Sequence, residues 1–148
     1  MMKAEKFIKV AFVFAVASLF CVGASATQAA YGDTSTYISK IYAGDGGNAR
    51  DAYLDFAEDV VFDSGGNMYI ADTFNNVIRK VDTSNAISTR AGTGSYGDTD
   101  GPTGSAEFAL PQGIAAKGDG TLFIADTYNH KIRKIAGGTV STIASDLS

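Results

Sequence analysis

The residues best able to do chemistry in this 148-residue chain are two aspartates that recur at the same place in a repeated sequence. Asp72 and Asp126 each end a β-rich run, and each is followed by threonine, an aromatic residue and asparagine. Two carboxylates can act as general acid and base when their surroundings separate their pKa values. Asp and Asn side chains also cap turns by accepting bonds from nearby backbone N–H groups. The equivalence of the two positions favours this turn-capping interpretation.

His130 is the one histidine of the chain, and Cys21 is the one cysteine. Protein zinc sites gather several His or Cys ligands, and a nucleophilic triad needs a base beside its nucleophile. One histidine cannot supply either set. We therefore expect no catalytic residues, no metal centre and no resident cofactor, and we interpret His130 as a turn residue equivalent to Asn76.

A faint calcium-loop pattern begins at Asp98-Thr99-Asp100-Gly101. A full loop ends in a glutamate that binds the ion through both oxygens, and that residue is missing at the required spacing. The first half of the chain shows no equivalent of this run. A weak calcium site here is an alternative to an ordinary acidic loop.

The element that positions these residues is an internal repeat. The run Ala71–Val81 returns as Ala125–Ile135, at an offset of 54 residues. Without a gap, 52–81 and 106–135 share 10 identities in 30. Self-similarity at a fixed period indicates a repeat architecture.

Each repeat predicts four short antiparallel strands joined by tight turns. In the first repeat these are 59–63, 68–71, 77–81 and 86–91, and the second gives the same order, with Gly118-Asp119-Gly120 as a hairpin signal. Such a unit is one blade of a β-propeller. The fold class is therefore all-β, with about two blades, at 52–92 and 106–145.

Two further expectations concern side chains around these strands. Arg79-Lys80 and Arg133-Lys134 look like solvated strand charges, with adjacent residues on opposite faces. The connections before the first strands end in apolar residues, expected to pack between neighbouring blades: Leu54, Phe56, Phe108 and Leu110.

The second repeat resembles an NHL repeat. The resemblance rests on Pro111-Gln112-Gly113-Ile114-Ala115 and on Gly120 to Lys134, in which the Asn-His-Leu-type triplet stands as Asn129-His130-Lys131. It covers 37–148, although Ala57 and Asp59 depart from the pattern in the first copy. The resemblance implies a β-propeller, most often six-bladed. Propeller lyases of this kind rely on several histidines or a dedicated one, which this chain lacks.

Residues 1–30 have the layout of a secretory signal peptide. Lys3, Lys6 and Lys9 precede an uncharged apolar run, and small residues close it. We expect export, to the periplasm or outside the cell, without stable membrane insertion after cleavage; 31–148 would form the NHL-repeat segment. The full chain carries 12 basic and 16 acidic residues. Without a basic stripe it lacks the charge pattern typical of nucleic-acid binding.

Two blades do not close a ring, and each blade must bury its faces against neighbours. Two arrangements follow. The chain is either part of a longer propeller, with its remaining blades elsewhere, or one of three copies that close a six-bladed ring as a homotrimer. We favour the first.

The turns after the second strands share a face with the long connections, and loops on a rigid scaffold often carry binding residues. The predicted ligand-binding residues on this face are Phe74, Asn76, Tyr96, Asp98, Asp100, Tyr128 and His130. The predicted structural signature of the repeat is Asp72, Thr73, Asn75, Asp126, Thr127 and Asn129.

Aromatic residues beside Asp and Asn can stack on a sugar or anchor a peptide. We therefore expect an exported propeller segment that acts as a protein- or glycan-binding scaffold rather than an enzyme. One alternative is a fragment of a propeller enzyme, lyase-like or lactone-hydrolase-like, whose active site lies in other blades. A third is a purely structural surface module.

Overall fold

The computed structural model describes residues 44–146, which form two antiparallel sheets and almost no helix. The all-β expectation is confirmed. The predicted signal peptide lies outside the described residues. Within 44–146 no helix has the length and apolar character needed to cross a membrane.

The first sheet has four strands in sequence order. They are β1 (Ala57–Phe62), β2 (Met68–Asp72), β3 (Val77–Val81) and β4 (Ile87–Ala91). A 3₁₀ turn at Thr73–Asn75 joins β2 to β3. The predicted bounds are right for β3 and within two residues for the other strands.

The second sheet repeats this order and adds one strand. Its strands are β5 (Gly101–Pro102), β6 (Pro111–Ala116), β7 (Leu122–Asp126), β8 (Lys131–Ala136) and β9 (Thr139–Ala144), arranged β5-β9-β8-β7-β6. A 3₁₀ turn at Thr127–Asn129 joins β7 to β8. In both sheets the four strands of the repeat pair in sequence order, β1 to β4 and β6 to β9, as tight turns require.

The added strand β5 has a counterpart in the first sheet. Gly46 N donates to Ile87 O, Ile87 N donates to Gly47 O, and Asn48 bridges to Ala86, so that 46–48 runs along the free edge of β4. In the same way β5 pairs with β9 through Gly101 and Val140. Each sheet therefore has its outer edge covered by the connection that precedes it.

The hairpin between β8 and β9 is one residue shorter than its counterpart. Val81 pairs with Ile87, whereas Ile135 pairs with Val140. Gly137 and Gly138 have φ angles of 55° and 81°, in the left-handed region that a two-residue hairpin turn requires. After this turn, equivalent residues of the two repeats are therefore 53 residues apart, as Ile87 and Val140 are, instead of 54.

The main hydrophobic core lies between the two sheets. We call the face of a sheet that packs toward the next sheet its forward face, and the opposite face its rear face. The first sheet contributes its forward face, with Tyr69, Ala71, Ile78 and Ala91. The second contributes its rear face and the connection before it, with Ala106, Phe108, Ile114, Leu122, Ile124, Ile135 and Val140.

A second, smaller cluster covers the rear face of the first sheet. It is built from Ile70, Val81 and Ile87, with the partly buried Ala49, Ala52, Leu54, Ala57, Val60 and Met68. Phe108 thus packs between the sheets as predicted, and Leu54 packs on the rear cluster. The expectation is wrong for Phe56, which is 56% exposed.

Candidate functional site

The turn after β2 is organised by the Asp72 carboxylate. Its Oδ1 accepts a bond from Asp55 N at 2.8 Å, and its Oδ2 accepts one from Asn75 Nδ2 at 2.9 Å. Arg79 Nη1 lies 3.3 Å from the same Oδ2. Asp72 thereby holds together the preceding connection, the 3₁₀ turn and β3.

The same arrangement recurs after β7. Asp126 Oδ1 accepts from Ala109 N at 2.7 Å, and its Oδ2 accepts from Asn129 Nδ2 at 2.8 Å and from Arg133 Nη1 at 2.7 Å. Both aspartates have no solvent-exposed surface. Burial raises the pKa of Asp72, against the opposing effect of the donors from Asn75, Asp55 and Arg79. In this geometry neither carboxylate can contact a substrate from solvent.

The expectation that Arg79 and Arg133 are solvated strand charges is wrong, because both residues are fully buried. Arg133 Nη2 donates to Asp100 Oδ1 at 2.6 Å and to Thr99 O at 2.9 Å, and Nη1 also reaches Glu107 O at 3.0 Å. A planar guanidinium group can donate several hydrogen bonds at once. A buried charge is tolerated when such bonds and an ion pair satisfy it, but not when it is buried alone.

The first repeat has no copy of the Asp98–Gly101 run, but Asp45 makes the contacts that Asp100 makes in the second repeat. Asp45 Oδ1 accepts from Arg79 Nη2 at 2.6 Å, and its Oδ2 accepts from Thr89 N at 2.8 Å. Asp100 Oδ2 likewise accepts a hydrogen bond from Thr142 N at 2.8 Å. Burial opposes ionisation of Asp100, but the bonds from Thr142 and Arg133 lower its pKa overall. Each carboxylate fastens an outer strand to the buried arginine.

Asp98, the other predicted acidic ligand residue, lies at the surface. Its Oδ2 is 2.6 Å from Lys131 Nζ, and this bond lowers its pKa. Its side chain is directed to a different cation from that of Asp100. Within 44–146 no group of three or more His, Cys, Asp or Glu side chains is placed to hold a metal ion.

Thr73 and Asn76 link the first turn to the second sheet. Thr73 Oγ1 donates to Pro111 O at 2.8 Å, and Asn76 Oδ1 accepts from Leu110 N at 2.9 Å. Asn76 Nδ2 also lies 3.4 Å from Gly94 O. Asn76 is therefore engaged between the sheets and is nearly buried.

The equivalent residues of the second turn make fewer contacts. Thr127 Oγ1 reaches Ala125 O at 3.4 Å, and no other acceptor for it lies within 44–146. His130 takes the left-handed conformation of Asn76, with φ of 52°, and is exposed. Asn129 Nδ2 donates to Gly97 O at 2.7 Å, which ties the second turn to the long connection.

Three of the predicted ligand-binding residues are exposed aromatics: Phe74 at 51%, Tyr96 at 61% and Tyr128 at 57%. Phe74 stacks on Phe56, with ring centroids 4.7 Å apart and an interplanar angle of 13°. Its backbone N donates to Asp55 O, so the turn and the preceding connection carry the pair together.

Sequence reasoning did not select Phe56 and Tyr53 for this site. Both are more than half exposed and lie in the connection before β1. The first repeat pairs an aromatic at 56 with the aromatic at 74, whereas the second has Leu110 opposite Tyr128. That difference between the repeats is the signal that could have found Phe56. We define the loop face as 53–56, 73–76, 94–98 and 127–130.

No protein-family model matches the sequence. Over 71 residues the chain is 41% identical to Protein SUPPRESSOR OF QUENCHING 1, chloroplastic, from Arabidopsis thaliana, a match that covers 47% of this chain and 7% of that protein. The chain thus spans less than a tenth of the curated relative it matches.

Two solved structures from Bacteroides thetaiotaomicron are similar to this chain. A structural genomics protein of unknown function has a TM-score of 0.50 at 28% identity, over 53% of this chain and 21% of its own. A protein described as "Putative phosphatase" has a TM-score of 0.55 at 22% identity, over 71% of this chain and 25% of its own. The second likeness concerns the fold alone. The β-rich fold agrees with the resemblance to NHL repeats, which stays a prediction.

Proposed function

We propose that the described residues are two consecutive blades of an NHL-type β-propeller whose loop face binds a protein or glycan ligand. The propeller assignment is supported by two sheets with the same strand order, packed forward face to rear face. It is also supported by the Asp–Asn–Arg network that recurs at Asp72 and Asp126. The predicted signal peptide supports action after export, in the periplasm or outside the cell.

The observation that carries the binding proposal is the contrast between aromatic and polar side chains on the loop face. Five aromatic side chains there are at least half exposed: Tyr53, Phe56, Phe74, Tyr96 and Tyr128. The neighbouring carboxylates Asp72, Asp100 and Asp126 are instead bonded to arginines and backbone N–H groups. The framework is thus fixed by polar contacts while apolar rings are presented to solvent.

Aromatic rings held on a rigid framework are suited to binding. They present a large apolar surface with few rotatable bonds, and interface hot spots are enriched in such residues. Sugar rings stack on them, and apolar peptide side chains pack against them. The stacked Phe56 and Phe74 offer one such surface, and Tyr96 and Tyr128 are further exposed rings on the same face.

The test uses the full chain against an array of immobilised glycans and a displayed random-peptide library. Tyr96→Ala and Tyr128→Ala should each abolish capture of the selected ligand while leaving the thermal unfolding midpoint unchanged. Ile143→Ala is the matched control, because Ile143 is 50% exposed but lies on β9, away from the loop face. If both tyrosine variants bind as the native chain does, the loop face is not the site.

A further inference from the structure

Within 44–146, the contact between the two sheets leaves each sheet with one face on which no second sheet packs. The first sheet buries Tyr69, Ala71, Ile78 and Ala91 on its forward face. The second sheet carries the equivalent side chains Phe123, Ala125, Ile132 and Ala144 on its own forward face, where all four are only half-buried. The burial differs because, among the described residues, a sheet covers the first of these forward faces and none covers the second.

The rear faces show the same relationship in reverse. On the second sheet, Ile114, Leu122, Ile124 and Ile135 are buried against the first sheet. Their equivalents on the first sheet are Val60, Met68, Ile70 and Val81, which form the smaller cluster. The rear face of the first sheet thus repeats the apolar surface that already accepts a forward face within this chain.

The polar groups that link the two sheets recur on the outer faces, where they have no partner on a second sheet within 44–146. Leu110 has a left-handed φ of 46°, and its N–H reaches across to Asn76 Oδ1. Phe56, its equivalent, has a similar φ of 51°, and within 44–146 no acceptor meets its N–H. In the part of the chain that the structure describes, His130 and Thr127, the equivalents of Asn76 and Thr73, have no such partner on the forward side of the second sheet.

The contacts of the Asp59 carboxylate indicate which sheet can pack on the forward face of the second sheet. Its Oδ1 accepts from Val60 N and its Oδ2 accepts from Ile114 N of the next sheet, each bond near 2.9 Å or shorter. The equivalent position in the second sheet is Gly113, which has no carboxylate to offer. A sheet that packs on this forward face therefore receives no acceptor from Gly113 for the N–H group equivalent to that of Ile114. It must supply that acceptor itself. The first sheet does so, because Asp59 already holds Val60 N.

The second positions of β1 and β6, Glu58 and Gln112, also differ between the two sheets. Glu58 Oε1 lies 3.4 Å from Gln112 Nε2, so a carboxylate meets an amide between the sheets. If the next sheet were a first sheet, Gln112 would again meet Glu58, and no two carboxylates would be adjacent. At both contacts, a first sheet therefore fits as the next sheet.

We propose that a second copy of this chain docks head to tail, with the rear face of its first sheet on the forward face of the second sheet. Thr127 Oγ1 then donates to Ala57 O of the second copy, and His130 accepts from Phe56 N–H, as Thr73 and Asn76 do within one chain. Such a heterologous contact repeats from copy to copy until a ring closes. The argument for this interface does not use the ligand proposed for the loop face, although Phe56, Thr127 and His130 belong to that face.

The first experiment is the solution mass of the full chain by light scattering after size exclusion. A discrete oligomer of an integral number of copies is the expected result. A monodisperse, β-rich monomer would overturn the proposal, since it would mean that no second copy covers these faces. Polydisperse aggregate would also overturn it, because the contact would not be specific.

Two variants test the direction of the contact. Val60→Arg blocks the rear face of the first sheet. Ala115→Arg blocks the forward face of the second, where Ala115 is exposed although its equivalent Val61 packs on the core. Each variant alone should be monomeric, whereas their equimolar mixture should form a 1:1 dimer, because one free face of each kind remains.

Ile143→Arg is the matched control and should leave the oligomer unchanged, because the first sheet carries Arg90 at the equivalent position. If Val60→Arg fails to fold, Ala115→Arg still decides, since it alters an exposed side chain; a β-rich Ala115→Arg variant that keeps the native mass overturns the proposal. A mixture that stays monomeric, or a single variant that dimerises with itself, would also contradict the head-to-tail contact.

Discussion

Arg133 and Asp126 form a fully buried ion pair, with Nη1 2.7 Å from Oδ2 and no exposed surface on either side chain. Arg79 and Asp72 repeat the pair at 3.3 Å. Buried charges are costly unless further hydrogen bonds satisfy them. Here Asp126 also holds Ala109 N and Arg133 also holds Glu107 O, so the pair fastens the connection before β6 to β8.

Removing Arg133 should destabilise the fold strongly. Arg133→Ala leaves the Asp126 carboxylate buried without its cation, which costs about 3–5 kcal/mol in the free energy of unfolding. Lys131→Ala breaks the surface pair with Asp98 and should cost about 0–1 kcal/mol. Urea unfolding of both variants measures the difference. Equal costs for the two would mean that the buried network does not hold the second sheet together.

Asp100 should make the stability depend on pH in the acid range. Its pKa is lowered on folding, so its contribution is present above the unfolded-state value of about 3.9 and is lost as the pH falls through the folded-state value. Asp100→Asn should therefore be less stable than the native chain at pH 7, and this difference should shrink below about pH 4. Urea unfolding across this range is the measurement, with the exposed Asp51→Asn as control. A difference that stays constant with pH would contradict the assignment.

Gly92 should not accept a side chain. Its φ is 107°, and a Cβ there would lie 2.7 Å from Asn76 O, at the point where the chain leaves β4. Gly92→Ala should lower the free energy of unfolding by roughly 1–3 kcal/mol, since strained backbone conformations cost that much. Gly104→Ala is the control, because nothing lies within 4 Å of the added Cβ, and thermal unfolding compares the two. A neutral Gly92→Ala would show that Asn76 and β4 move apart freely.

The repeat made the strand order and the turn residues predictable. The offset of 54 residues aligns Asp72, Asn75 and Arg79 with Asp126, Asn129 and Arg133, and the equivalent contacts follow in both copies. Strand type also follows from short β-rich runs between turn signals, because the tight turns bring neighbouring runs together.

The burial of the arginines could not be predicted from the repeat alone. Their partners Asp45 and Asp100 are 55 residues apart, so a gapless alignment starting at Ala52 does not pair them. From sequence, an arginine next to a lysine on a strand is expected to be exposed to solvent. Its burial can be inferred only once Asp45 or Asp100, in the preceding connection, is known to accept its hydrogen bonds. Phe56 was misplaced for a related reason, because it stacks on Phe74 of the following turn, a contact that its apolar character alone does not reveal.

His130 gives the sharpest test of the contact between copies, because it stands where Asn76 stands in the first repeat. Asn76 uses its Oδ1 to accept Leu110 N–H, and His130 in the proposed interface uses a ring nitrogen to accept Phe56 N–H of the second copy. His130→Ala removes that acceptor and should weaken association by roughly 5- to 10-fold, the equivalent of about 1 kcal/mol for one hydrogen bond.

His130→Asn restores the acceptor of the first repeat and also suits the left-handed φ of 52°, which Asn adopts more readily than most residues. It should therefore associate at least as tightly as the native chain. Sedimentation of dilution series compares the three proteins, and their thermal unfolding at concentrations where each is a single species separates association from folding. If alanine and asparagine weaken association equally, the side chain at 130 does not bridge the copies. If only alanine does so, the Asn76 contact is repeated between chains.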